Sequence, residues 1–328
     1  MATLPIKEHS LMFAPMEGVT DEFYRNIIHE LYPEWDSYAC DFLKVPTNTA
    51  YPQKHIKKHF GLQTLADTGQ RQKTIYQILA AANGLIKETT LSIANLDLTW
   101  LDLNLGCPSK TVCKNKGGSY LLDHLDELRL VIKTIRESFP HTFTCKIRVG
   151  FNDDYNFENI LKLLEEEGVD AITIHGRTRK ELYTGVANWD YMKKAVKTVN
   201  IPIIANGDIW TPKDIERCFD YTNCHSQMFG RSALKTPWLA RQFKNNESES
   251  PTTRISEMIR YYSRFYEETA KQPLLEASRI KRLKSVSRYL FDEVPDGASY
   301  KRRFLLSKTF IEQMNVLSEL KQNHGILS

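Results

Sequence analysis

The 328-residue sequence contains no C-x-x-C pair, no G-x-G-x-x-G and no long uninterrupted apolar run. Each absence excludes something. Without paired cysteines, the six that are present (Cys40, Cys107, Cys113, Cys145, Cys218 and Cys224) form neither a disulfide framework nor a zinc site; Cys224 has His225 beside it but no further ligands at metal spacing. No bound metal is expected. Without the glycine fingerprint, a Rossmann nucleotide domain is disfavoured. Without an apolar run of roughly 18 residues, no membrane span is expected. The opening MATLPIKEHS lacks the apolar core of a signal peptide, so a cytoplasmic protein is expected.

What is present reads as a large globular chain with 41% hydrophobic and 26% charged residues. Net charge is only +4, but it is unevenly placed. Residues 241–328 carry 16 Lys+Arg against 11 Asp+Glu, and the rest 28 against 29. Arg279, Lys281, Arg282, Lys284 and Arg288, then Lys301, Arg302, Arg303 and Lys308, concentrate the excess in the tail. Such a cluster suits a polyanion, since each phosphate contact releases counterions; a solvated helix face is the plainer alternative.

Short apolar runs alternate with helical patterns through the first 240 residues. Strands are expected at Leu11–Ala14, Ser37–Asp41, Thr74–Leu79, Leu101–Asn104, Phe143–Arg148, Ala171–His175, Ile201–Ala205 and Gln227–Phe229. Helical patterns lie between them, except that residues 48–71 read as irregular. Eight such units suit a closed (β/α)8 TIM barrel better than an open sheet. Beyond about residue 252 the strands stop, and Arg254–Ala270, Glu276–Phe291 and Ser299–Lys321 read as helices. The expected organisation is a barrel over residues 1–245 and a small all-helical domain over 246–328.

In a barrel, functional groups gather at the carboxyl ends of the strands. That rule selects Pro15-Met16-Glu17, Gln77, Asn104 with Cys107, Lys146 with Arg148, His175, Asn206-Gly207-Asp208 and Gly230-Arg231. The last two turns fall where backbone N–H groups commonly hold phosphate, so a phosphate-bearing cofactor is expected there. Cys107 follows the strand Leu101-Asp102-Leu103-Asn104 at a Gly106-Cys107-Pro108 corner, and Gly117-Gly118 permits a tight return. Nearby cations would favour its thiolate, and unassisted burial a neutral proton donor.

The stretch Asn104-Leu105-Gly106-Cys107-Pro108-Ser109, with Lys110-Thr111-Val112 and Gly117-Gly118, resembles the active-site signature of the tRNA-dihydrouridine synthases. With Ala14-Pro15-Met16-Glu17-Gly18-Val19-Thr20-Asp21, it is most similar to the bacterial C-type branch. The resemblance implies FMN as bound cofactor and NADPH as hydride source. It implies that Pro15, Met16, Glu17 and Gln77 contact the flavin ring, and that Lys146 meets its N1–C2 edge. His175, Asn206, Gly207, Asp208, Gly230 and Arg231 would hold the phosphate end. Cys107 would protonate uracil C5 after hydride delivery to C6, with Asn104 hydrogen-bonding the base and Arg148 anchoring its carbonyl or a nearby phosphate. Lys44, Arg179, Tyr183, Arg279, Lys281 and Arg282 would contact tRNA, and position 16 of the D-loop is the implied target. Two departures stand out: Ser119 where alanine is common, and Cys113, a second thiol six residues from the first. A monomer is expected. The alternatives are an FMN-dependent dehydrogenase of free pyrimidines, of dihydroorotate type, and an RNA-binding protein without catalysis.

Overall fold

A computed structural model describes residues 4–5, 7–271 and 275–324. Nine strands carry the first part: β1 (Ser10–Phe13), β2 (Ser37–Ala39), β3 (Leu43–Lys44), β4 (Thr74–Leu79), β5 (Trp100–Leu105), β6 (Thr142–Arg148), β7 (Ala171–His175), β8 (Ile203–Asn206) and β9 (Ser226–Phe229). All pair in parallel. β1 pairs with both β2 and β9, and β2 pairs with β4, so the sheet closes on itself as an eight-stranded barrel. β3 resumes the path of β2 after a break and pairs with β4 through Leu43↔Ile78.

Side chains alternate across each strand, so one set fills the barrel and the other packs outward. Met12, Ala14, Ala39, Ile75, Trp100, Ala171, Ile204 and Met228 form one buried cluster from seven strands and the end of β1. Leu101, Leu103 and Leu105 take the opposite face of β5 and are also fully buried. Polar residues follow at higher register: Gln77 pairs with Asp102, and Asp102 with Thr144. Asn104 in turn pairs with Lys146, and His175 with Asn206.

Residues 53–73 are helical, not irregular, in three short pieces: Gln53–Phe60, Leu62–Ala66 and Thr68–Lys73. Pieces this short have little intrinsic stability and depend on tertiary caps. Glu22 supplies one, accepting from the backbone N–H groups of Gln63 and Thr64 at 2.6 and 2.9 Å. Gly61 is required there, because its φ is +117° and a Cβ would fall 2.4 Å from the Glu22 carboxylate. After β5, Lys110–Lys114 forms one helical turn and Gly118–Asp123 a 3-10 turn, and the helix that leads to β6 spans Leu125–Ser138.

Two compact units divide the chain, with residues 27–34 and 231–328 in the second and the remainder in the first. The expected boundary at residue 245 lies within the second of these units. Arg254 explains the difference. Buried on the helix Pro251–Ala270, it donates to Thr236 Oγ1 at 3.2 Å, to the carbonyl of Lys235 at 2.9 Å and to Glu249 at 2.9 Å. Trp238 donates to the same Glu249 at 2.7 Å. The polar stretch after Lys244 is an exposed loop inside this unit. The helix expected over Ser299–Lys321 is two, Gly297–Leu306 and Phe310–Asn323, the second capped by the Thr309 side chain.

Candidate active site

The first β-α turn is held by its own backbone. Thr20 Oγ1 accepts from Met16 N at 2.9 Å, and Val19 and Thr20 donate back to the Met16 carbonyl, which presents Pro15, Met16 and Glu17 just past β1. Asp21 caps the following helix through Tyr24 N at 3.0 Å.

Cys107 lies 9% exposed at the end of β5. Burial is the chief influence on its thiol and pushes it upward, so it remains a neutral proton carrier at physiological pH. Its backbone is clamped by Ser119, whose hydroxyl donates to the Cys107 carbonyl at 2.8 Å. Ser119 thus does more than preserve a turn. Cys113 Sγ lies 3.5 Å from the same hydroxyl. Gly118, at φ +60°, closes the loop so tightly that a Cβ would meet Val112 Cγ1 at 3.1 Å and Cys107 Cβ at 3.3 Å.

Lys146 faces the same mouth. Half-buried, it donates to Asn206 Oδ1 at 3.0 Å, and Asn206 donates to the Met228 carbonyl at 2.7 Å, linking β6, β8 and β9. Burial, helped by the nearby Arg148 cation, pushes its ammonium down to about 8.

Two expected ligands are committed to the scaffold. Arg148 is 3% exposed and donates to the carbonyls of Gly106, Thr178 and Leu182 at 3.0, 2.9 and 2.8 Å, with its guanidinium 5.3 Å from the Tyr183 ring centre. It brackets the Cys107 corner against the loop after β7. The Asp208 carboxylate accepts from Ala187 N at 2.8 Å and from Arg177, so only its backbone is left for a phosphate. Arg177, which the strand-end rule passes over, is buried with Nη1 lacking any protein partner. Gly207 sits at φ +117°, where a Cβ would fall 2.8 Å from Ala187 Cβ and 3.3 Å from the His175 ring. Gly230 is open except for Ala14 Cβ at 3.8 Å from such an atom. Arg231 opens the short helix Arg231–Lys235 and counts with the second unit.

These features fit a phosphate-bearing flavin. A close backbone cradle at Gly207, an unsatisfied buried arginine N–H and a low-lying lysine at the ring end would match its two termini.

Among the tRNA candidates, Lys44 lines a cavity of about 650 Å³ together with Thr47, Asn83, Lys114 and Lys116. Arg179 covers Phe151 at 5.0 Å, and Tyr183 is exposed. In the second unit, Arg279, Lys281 and Arg282 lie on the helix Glu276–Ser287, with Lys281 exposed and the arginines half-buried. Among the described residues no His/Cys/Asp/Glu cluster could hold a metal, and no helix is long and apolar enough to cross a membrane.

The model of the dihydrouridine synthase (Dus) family matches residues 12–324. The chain belongs to the dihydrouridine synthase family. Relatives named tRNA-dihydrouridine(16) synthase include that of Shewanella oneidensis, 29% identical over 96% of this chain and 98% of the relative. That of Neisseria meningitidis serogroup B is 27% identical over 97% and 96%. That of Cupriavidus necator is 30% identical over 74% and 76%. Among solved structures, histamine dehydrogenase from Rhizobium sp. 4-9 aligns with a TM-score of 0.55 at 12% identity, over 79% of this chain and 48% of that one. A 2-naphthoyl-CoA reductase aligns at 0.53 and 10%, over 72% and 50%. The chain spans about half the length of each of these two, and the likeness concerns the barrel fold alone. Cys107 lies within the stretch that resembles the family signature, and Lys146 is on the neighbouring strand β6, paired in register with Asn104.

Proposed function

We propose that this protein reduces the C5–C6 bond of a uridine in tRNA, with FMN as bound cofactor and NADPH as the hydride source. The observation that carries the reading is the placement of a buried thiol, Cys107, and a half-buried lysine, Lys146, at the ends of the neighbouring strands β5 and β6. Bound FMN would supply the hydride that reaches uracil C6. Everything else falls to the chain. Cys107 gives its proton to C5 and is reprotonated from solvent, so hydride plus proton account for the two atoms gained. Lys146 would stabilise negative charge on the ring of a flavin held at this mouth. Asn104 orients the base, and Arg148 keeps the Cys107 corner in place through the Gly106 carbonyl.

The candidate ligands for the cofactor are Pro15, Met16, Glu17, Gln77, Lys146, His175, Asn206, Gly207, Gly230 and Arg231, with Asp208 acting through its backbone and Arg177 added. The uridine leaves its stack to reach the thiol, held by phosphate contacts from Lys44, Arg179 and the basic tail. Position 16 is the proposed target, supported by the alignment of relatives so named along the tail as well as the barrel.

The test is incubation with FMN, NADPH and unmodified tRNA, with dihydrouridine mapped by position, beside Cys107→Ala. Product at position 16 from the wild type, and flavin reduction without product from the variant, is the expected result. Reoxidation of the NADPH-reduced flavin by free pyrimidines but not by tRNA would overturn it.

A further inference from the structure

Inside the barrel, below Cys107, a run of hydrogen bonds has a direction fixed at both ends. At one end Trp100 Nε1, which can only donate, bonds Thr144 Oγ1 at 3.0 Å. The Thr144 hydroxyl therefore turns its own hydrogen to Asp102 Oδ1, 2.6 Å away. At the other end the backbone N–H of Gly106, also a donor only, bonds Asn104 Oδ1 at 3.0 Å. The Asn104 amide nitrogen then faces Gln77 Oε1 at 2.9 Å, and Gln77 Nε2 faces Asp102 Oδ2 at 2.7 Å. Donors converge on Asp102 from both sides.

Only an ionised carboxylate, acceptor at both oxygens, satisfies both arms. Trp100, Asp102, Thr144 and Gln77 are all buried, so no solvent relaxes the requirement. Asn104 is half-exposed at the mouth, and with one amide hydrogen spent on Gln77 its second is left to point outward as a donor.

We infer that Asp102 is a positioning residue that, through Gln77, locks Asn104 as a hydrogen-bond donor toward the substrate, so that the site selects a pyrimidine presenting a carbonyl oxygen over one presenting an amino group. This rests on the functional reading above and deepens it. Uracil O4 fits the donor, and the exocyclic amine of cytosine opposes it. A site built to satisfy one pattern rejects the other because its own polar group is left unpaired.

The isosteric variant Asp102→Asn tests it. Asparagine offers one acceptor and one donor, so Thr144 and Gln77 cannot both be served, and Gln77 with Asn104 populates both orientations. In 15N-labelled protein without tRNA, the single Asn104 carboxamide signal of the wild type is expected to split or broaden. Adding Gln77→Glu to Asp102→Asn exchanges amide and acid. The amide introduced on β5 can then donate to the carboxylate introduced on β4, which accepts from Asn104, and the single signal is expected to return. With tRNA, Asp102→Asn is expected to lower kcat by about 10²-fold at unchanged KM, and to narrow the preference for a target uridine over cytidine in the same tRNA. An Asn104 signal identical in wild type and Asp102→Asn overturns the inference, as does a reduced rate with the uridine preference intact. Absence of dihydrouridine from the wild type would defeat the functional reading instead, while the carboxamide signals still decide the role of Asp102.

Discussion

Lys146 Nζ and Asn206 Oδ1 lie 3.0 Å apart, joining β6 to β8 across the mouth of the barrel. The lysine is held at about 8, below its ordinary 10.5, by burial. Its charge is present below that pH and lost above it. Dihydrouridine formation should therefore fall as pH rises through about 8. Lys146→Met should lose about 10²-fold in rate and flatten that limb. The Cys107 thiol stands above its ordinary 9.0, so its own deprotonation comes later. A pH–rate profile of both proteins checks this.

Linkage gives the same lysine a second signature. Between about 8 and 10.5 the unfolded chain keeps a proton that the folded chain has released, so stability should rise with pH across that window. Denaturant midpoints of wild type relative to Lys146→Met should diverge there and nowhere below it.

Asp102 behaves oppositely. Burial raises its carboxyl from 3.8 to about 6, against the donors from Thr144 and Gln77. The folded state holds a proton that the unfolded state has lost between those values. Stability should fall as pH rises from about 4 to 6, by about 3 kcal/mol for a shift of this size, and stay level above. Urea unfolding of the wild type relative to Asp102→Asn isolates this slope.

Gly118→Ala should impair catalysis more than folding. The left-handed backbone costs about 1 kcal/mol for alanine, and the added Cβ presses on Cys107 Cβ at 3.3 Å. Product formation should drop, while flavin reduction by NADPH stays unchanged. Thermal unfolding beside single-turnover assays separates the two effects.

The tail predicts a salt effect. Replacing Arg279, Lys281 and Arg282 together by alanine should weaken tRNA binding and lower the slope of log Kd against log salt by about 2 to 3. Flavin reduction should be unaffected. Titration of tRNA binding at several salt concentrations measures it.

The barrel is legible in the sequence because each strand is a short run whose length and alternation leave few alternatives. β7 and β4 have the very bounds expected, and the strand-end rule leads directly to Cys107, Lys146 and Asn206. Residues 53–73 are not legible, since the cap that Glu22 supplies comes from some 40 positions away. The carbonyls of Gly106, Thr178 and Leu182 that Arg148 meets are likewise not legible, since charge near a strand end carries no sign of them. Asp102 escapes notice for a related reason: alternation marks it as inward-facing, but only the register with Gln77 and Thr144 gives that carboxylate its partners.

The helix Glu22–Leu31 contributes residues to both units, and Glu30 meets Arg264 through two bonds at 2.8 and 2.6 Å within the second. The carboxyl-terminal unit is therefore discontinuous in the gene. An engineer who transplants it would have to carry residues 27–34 along with 231–328, as two insertions rather than one.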